Sequence, residues 1–294
     1  MQTHWGELAV RDAHVHFFSH RFFTLLTGGR AVDEVAAQLA WEAPPESPEL
    51  LADRWVAELD RHGVAAASLI ASMPGDERSV ELAVARHPER LYGQFLVNPL
   101  APDALERVAA CPLRTICLFP AMHRYSVADE RLEALWPLAH GRNVFVHCGV
   151  LSVGVRKKLG LPSPFDMRFS NPLDIHNVAL RHPQVRFIIP HFGAGFLREA
   201  LMLADLCPNV YLDTSSSNAW MKYSEAPLDL VTVFRRTLAV TGTRRLLFGT
   251  DSSFFPRGWV RPVFEAQAVS LAGLGLNAEE ASSIFGGNLL SLQQ

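Results

Sequence analysis

At 294 residues, 49% of them hydrophobic, the chain is long enough to bury a sizeable core, as one large domain or two small ones. Its 27 Lys and Arg stand against 30 Asp and Glu for a formal net charge of −3; no basic block marks a nucleic-acid footprint or a membrane-surface patch, so neither partner is expected. The apolar runs are strand-sized, residues 1–6 lack the apolar core of a signal peptide, and four scattered cysteines (Cys111, Cys117, Cys148, Cys207) form no C-x-x-C pair, which predicts a reduced, cytoplasmic protein without a transmembrane helix.

In chain order, eight short apolar or β-branched runs recur, at 8–15, 64–71, 91–97, 114–119, 143–147, 185–190, 210–213 and 244–249. Most place apolar residues at successive positions, the pattern of parallel strands covered on both faces. Amphipathic stretches at 51–62, 76–87, 128–140, 195–207, 228–240 and 261–274 are expected to be helices. Eight strand-then-helix units over this length predict an α/β chain closed into a (β/α)8 TIM barrel with a C-terminal helix. The rival, a doubly wound open sheet, would carry a Gly-rich phosphate turn after its first strand, whereas this strand ends in Asp12-Ala13-His14-Val15-His16. No linker divides the chain, so residues 1–294 read as one barrel domain. Two stretches exceed tight-turn length: 17–50, an extended loop insertion containing Pro44, Pro45 and Pro48, and 149–172, containing Pro162, Pro164 and Pro172. Both leave the carboxyl ends of strands and are expected to be active-site loops or a lid.

The histidines sort by position. His14 and His16 are two apart on a strand and point the same way. An H-x-H pair alone is a weak signal, but the pattern repeats: His147 ends the run Val144-Phe145-Val146, His191 ends Phe187-Ile188-Ile189-Pro190, and Asp251 follows Leu246-Leu247-Phe248-Gly249-Thr250. A hydrophobic strand has no packing need for such an ending. Gathered at one barrel mouth, these residues supply three histidines and a carboxylate for a metal, with one further histidine beside it. His62, His87, His140 and His182 act as a control. Each sits at a predicted helix end beside Gly or Pro, at the opposite face, where a helix C-terminus explains it.

The substrate walls are less legible. His123 and Arg124, directly after the fourth strand, are candidates to grip an anionic group, with ordinary loop positions as the competing reading. Phe17, Phe18, Arg21, Trp41, Arg168, Phe254, Arg257 and Trp259 are further wall candidates whose aromatic and Arg content suits a flat or carboxylate-bearing substrate, against the simpler alternative of lid packing. Asp213, closing the seventh strand, either hydrogen-bonds a metal-ligating histidine or caps a turn. Cys148 points to the other face from His147 and reads as core.

These residues carry a family likeness. The opening D-A-H-V-H, then V-F-V-H-C-G, I-I-P-H-F-G-A-G, F-G-T-D-S-S-F-F-P and a closing I-F-G-G-N-L-L-S-L resemble, in order and over nearly the whole chain, the amidohydrolase superfamily, in particular the amidohydrolase-related branch that includes aminocarboxymuconate-semialdehyde decarboxylase. The resemblance implies that His14, His16, His147 and Asp251 bind one divalent metal ion, zinc first and manganese as the alternative. It implies that His191 is an acid/base, with Asp251 also able to accept a proton, and that a homodimer is a common assembly. Binuclear relatives carry a bridging modified lysine at the end of the fourth strand; here that strand ends in Leu118-Phe119-Pro120, which points to a single metal. The expected reaction is hydrolysis of a small organic acid, ester, lactone or amide by metal-activated water. Non-oxidative decarboxylation by a carboxy-lyase is the alternative, and an inactive barrel with a binding role is a third. A phosphate-binding barrel is disfavoured, because no Gly-rich loop follows strands seven and eight.

Overall fold

The computed structural model describes residues 1–216 and 218–294. Eight strands, Arg11–His16, Ala66–Ala71, Leu91–Val97, Thr115–Leu118, Asn143–Val146, Arg186–Ile189, Val210–Asp213 and Leu246–Leu247, pair in parallel in sequence order. The last meets the first through a parallel bridge between Val15 and Ser252 and through backbone bonds from Ala13 to Phe248 and from His16 to Ser252. The chain is thus the TIM barrel that the alternation of runs predicts, and burial of nearly every strand residue explains why these runs are continuous rather than alternating. The first strand lies later than its apolar run, and its register shifts between Asp12 and Val15. The eighth keeps only two ladder residues.

The helices include Pro48–His62, Glu77–Arg86, Ala104–Ala110, Leu197–Leu206, Leu230–Thr241 and Arg261–Gly273. The stretch 128–140 departs from expectation: it forms only a 3-10 turn, Glu130–Leu132, and one helical turn, Leu135–Leu138. Pro137 explains this, since it lacks an N–H and its ring excludes a preceding helical turn. The insertion after the first strand is also not a plain loop. It contains helices His20–Thr27, capped by Ser19 and Gly28, and Val32–Leu39, while Pro48 opens the next helix behind the N-cap Ser47. Segment 149–172 holds a short helix, Gly154–Lys158. The two insertions share a small core of their own, in which Phe22, Phe23, Leu26, Val35 and Leu39 pack with Val155 and Leu159.

At the other end, the C-terminal helix Asn288–Gln293 closes the base. Leu289 and Leu292 pack against the barrel-lining Ile70, Leu96, Phe145 and Leu247. The Leu292 carbonyl accepts hydrogen bonds from Arg114 and Asn143, both at 3.1 Å. The four cysteines are unpaired and buried, and among the described residues no helix is long and apolar enough to cross a membrane.

Candidate metal centre

Five side chains read from the sequence as strand-end polar residues meet at the carboxyl mouth. His14 is buried, and its Nδ1 is held by the Asp213 carboxylate at 2.8 Å and the Ser215 hydroxyl at 3.0 Å. Its Nε2 faces Asp251 Oδ1 at 3.7 Å. His16 repeats the arrangement: Nδ1 bonds the Ser72 hydroxyl at 2.6 Å and Nε2 lies 3.2 Å from the same Asp251 oxygen. His191 Nδ1 meets the Ser215 hydroxyl at 2.9 Å and the Ser215 carbonyl at 3.3 Å. A carbonyl only accepts, so when that bond is made the proton sits on Nδ1 and Nε2 is left as an acceptor. Three imidazoles are therefore oriented through one nitrogen, leaving the other available, the usual second contact of a metal-binding histidine.

The ring centres of His14 lie 5.2 Å from His16 and 5.0 Å from His191. His14, His16 and Asp251 place ligand atoms within 4.8 Å of one another, as do His14, His191 and Asp213. His147 joins neither group. Its ring stacks on Phe119 at 5.1 Å and stands 5.4 Å from His191, and its buried Nδ1 has no partner.

The electrostatics suit a cation. Burial, followed by the charges of neighbouring histidines, pushes the His147 and His191 imidazoles below their ordinary pKa, and burial does the same at His16, favouring the neutral, lone-pair form. At His14 burial is outweighed by Asp213, which raises it. Burial would raise Asp251, but the His16 hydrogen bond and the charges of His14, His16 and His191 hold its carboxyl well below the usual range. Three imidazoles kept neutral (His16, His147 and His191) beside a firmly ionised carboxylate, with a buried nitrogen left unpartnered, fit a divalent ion.

The centre opens into a cavity of about 640 Å³. Phe18, Phe22 and Trp41 of the first insertion wall one side with Phe254. Trp41 and Phe254 stack at 3.9 Å, with Phe18 parallel at 5.9 Å from Trp41. Four cationic side chains, Arg156, Lys158, Lys222 and Arg257, line the cavity, and Asp251 is the sole carboxylate among its described lining residues. Arg257 lies over Phe254 and donates to the Asp251 carbonyl at 3.1 Å.

The other wall candidates fall elsewhere. His123 is outside the lining, stacked near Tyr125. Arg124 turns to the Pro164 carbonyl, Arg168 is 84% exposed and paired with Asp166, and Arg21 donates to the Gly75 carbonyl. Phe17 is core, and so is Trp259, 2% exposed, whose indole N–H goes to Asp12 at 2.8 Å. Ser72, Ser215, Lys158 and Lys222 were not singled out. Ser72 and Ser215 follow strand ends and obey the same polar-ending pattern as the histidines, whereas Lys158 and Lys222 lie in irregular segments with no period to mark them.

A family model for Amidohydrolase matches residues 12–288. An uncharacterised TIM-barrel protein from Bordetella bronchiseptica superposes with a TM-score of 0.66 at 19% identity, over 97% of this chain and 98% of the other. An amidohydrolase from Burkholderia multivorans, crystallised with bound zinc, gives 0.62 at 17% identity over 96% and 98%. At this identity both likenesses are of fold. The protein fluG of Emericella nidulans is 32% identical over 87 residues, which is 30% of this chain and 10% of that protein, so the match spans about a tenth of the curated relative's length.

Proposed function

The chain belongs to the amidohydrolase family, and on that premise we propose that residues 1–294 form one barrel domain that uses a single metal ion to hydrolyse an ester, lactone or amide of a small organic acid. His14, His16, His147 and Asp251 would hold the ion, zinc in the first instance and manganese as the alternative. The supporting observation is that His14, His16 and His191 each have Nδ1 tied, by Asp213, Ser72 and Ser215, around one ionised carboxylate. When bound, a divalent ion supplies Lewis acidity, polarising a substrate carbonyl and acidifying water.

The side chains do the remaining work. Asp251, kept ionised, accepts a proton from the attacking water at its carboxylate. His191, kept neutral by burial with its proton on Nδ1, takes up a proton at Nε2 and then gives it to the leaving group. The Phe18, Trp41 and Phe254 wall shields the centre from bulk water. Arg257 beside the centre, with Lys158 and Lys222 further out, favours an anionic substrate with a flat apolar body. Four lining cations against one carboxylate support that choice.

Arg257 also favours a second reading. A substrate carboxylate held beside the centre is what a decarboxylase needs. The experiment is elemental analysis of the purified protein, then a screen of lactones, esters, amides and aromatic carboxylates, with the product assayed for acid and for CO2. Acid without CO2, abolished by His191→Ala and Asp251→Asn, is expected. CO2 release would replace hydrolysis by the lyase reading. Metal content near zero that added zinc or manganese does not restore, or activity untouched by both substitutions, would sink the proposal in favour of a binding role. The unpaired buried cysteines support a cytoplasmic setting, and a homodimer is the assembly this reading carries over from the resemblance.

A further inference from the structure

We propose that Asp12 is the positioning residue of the metal centre and that Trp259 anchors it, a reading that rests on His14, His16 and Asp251 as metal ligands. Asp12 is fully buried and faces neither cavity nor ligand. Its Oδ1 accepts from the His14 amide at 2.9 Å and the Thr250 amide at 3.1 Å. Its Oδ2 accepts from the Thr250 hydroxyl and from the Trp259 indole at 2.8 Å. Four donors fill the acceptor sites of one carboxylate, so nothing is left for a metal. What the carboxylate grips is the backbone of one ligand, His14, and of the residue just before another, Asp251.

That grip has a purpose. The continuous eighth strand ends at Leu247, and past it a single bridge, Val15 to Ser252, pairs the segment with the first strand. Asp251 also takes φ +61°, a left-handed conformation costly for a residue with a side chain. The turn is held on one side by the Asp251 amide on the His14 carbonyl at 3.0 Å and the His16 amide on the Ser252 carbonyl at 2.7 Å, and on the other by Asp12. Behind Asp12 the support is directional. Because Thr250 gives its hydroxyl proton to the carboxylate, Ser252 donates to Thr250, and Ser252 in turn accepts from the Val260 amide at 3.0 Å. The Trp259 amide is fixed on Glu58 at 2.9 Å, and Gly258 brings the chain so close that a Cβ there would meet the Glu58 carboxylate at 2.1 Å. Trp259, whose composition suited a substrate wall, thus points inward as a brace.

A barrel-closing role alone would predict lost stability and nothing more, so the test separates the two. Asp12→Asn keeps shape and keeps an oxygen for one side of the carboxylate. Its amide, placed toward the indole, sets two donors against each other, a conflict that Trp259→Phe removes. The probe is Co2+, followed by competition titration and by its visible absorption band, beside thermal unfolding of the metal-free proteins. We expect Asp12→Asn to weaken Co2+ binding about tenfold or more and to alter the band. Trp259→Phe alone should do much less, and the double variant should recover part of the affinity lost by Asp12→Asn. Unchanged Co2+ affinity and band in Asp12→Asn would overturn the positioning role while leaving the metal reading standing. So would a loss no greater than that of an equally destabilised variant at the barrel base. A parent chain that fails to bind Co2+ would sink both.

Discussion

The two ends of the barrel solve the same backbone problem differently. At the base, turns that need a left-handed residue use glycine: Gly63, Gly141, Gly242 and Gly275 follow helices or helical turns there, at little steric cost. On the mouth side glycine does so too, at Gly75, Gly149, Gly193 and Gly195, but there residues with side chains also take that conformation, among them His191, Phe192 and Ala194 in close succession, then Ser216, Asn218 and Asp251. Each costs on the order of 1–3 kcal/mol, and two of them are the proposed acid/base and metal ligand. The base is arranged for stability, with apolar side chains plugging the cylinder. The mouth gives up stability to aim side chains at a point.

Truncating the plug should produce the largest loss at the base without touching the mouth. Leu292→Ala opens a cavity beneath the barrel lining and should lower stability by about 2–5 kcal/mol in denaturant unfolding, with metal affinity unchanged. If metal affinity fell in step with stability, the two ends would not be independent.

A pair of glycines sharpens the contrast. A Cβ on Gly249 would lie 2.9 Å from the Cβ atoms of both His14 and Ser215 and 3.2 Å from the Asp213 carboxylate, and none of those Cβ atoms is a flexible chain end. A Cβ on Gly286, at the base, would meet the Ala9 carbonyl at 2.3 Å. Gly249→Ala and Gly286→Ala should each cost about 1–3 kcal/mol by overpacking. Only Gly249→Ala should also weaken metal binding, by roughly 10–100-fold, because it displaces the residues that orient His14. Equal metal affinity in the two variants would refute the division of labour.

How much of this was legible in the sequence follows from the same physics. A polar residue ending a buried strand has no packing reason to be there, so His14, His16, His147, His191 and Asp251 stood out, and the structure gathers them. Asp213 shares that position and bonds His14. The barrel itself was legible because parallel strands buried on both faces make continuous apolar runs. The insertion helices were not, since they are short and gain their stability by packing on Val155 and Leu159, more than a hundred positions away. Nor were the walls. Whether an Arg or Trp in a loop faces a cavity depends on its tertiary partners: Arg168 finds Asp166, and Trp259 finds Asp12 at the far end of the chain. Residues fixed by periodicity can be read locally, whereas residues fixed by a single distant hydrogen bond cannot.

The smallest effect concerns a buried acid on the mouth side that lies apart from the proposed ligands. Asp76 accepts from the Ser19 hydroxyl, which caps the first insertion helix, and from the Ser79 hydroxyl at 2.6 Å. Burial pushes its carboxyl up to about 6, beyond what those hydrogen bonds and the charge of Arg21 recover, while Glu77 adds to the rise. The folded chain therefore holds this proton up to about pH 6, whereas the unfolded chain releases it near the ordinary value of 3.8. Between those values the folded state binds more protons, so its stability declines as pH rises through that window and levels off above it. Asp76→Asn keeps an acceptor for one serine and a donor that the other can accept, and it carries no titratable proton. Its unfolding free energy should lack the part of the decline that Asp76 contributes, and above pH 6 it should exceed that of the parent by on the order of 1–2 kcal/mol, measured by urea unfolding at pH steps from 4 to 7. Parallel stability profiles for the two proteins would mean that burial at the mouth carries its electrostatic cost only at the metal centre.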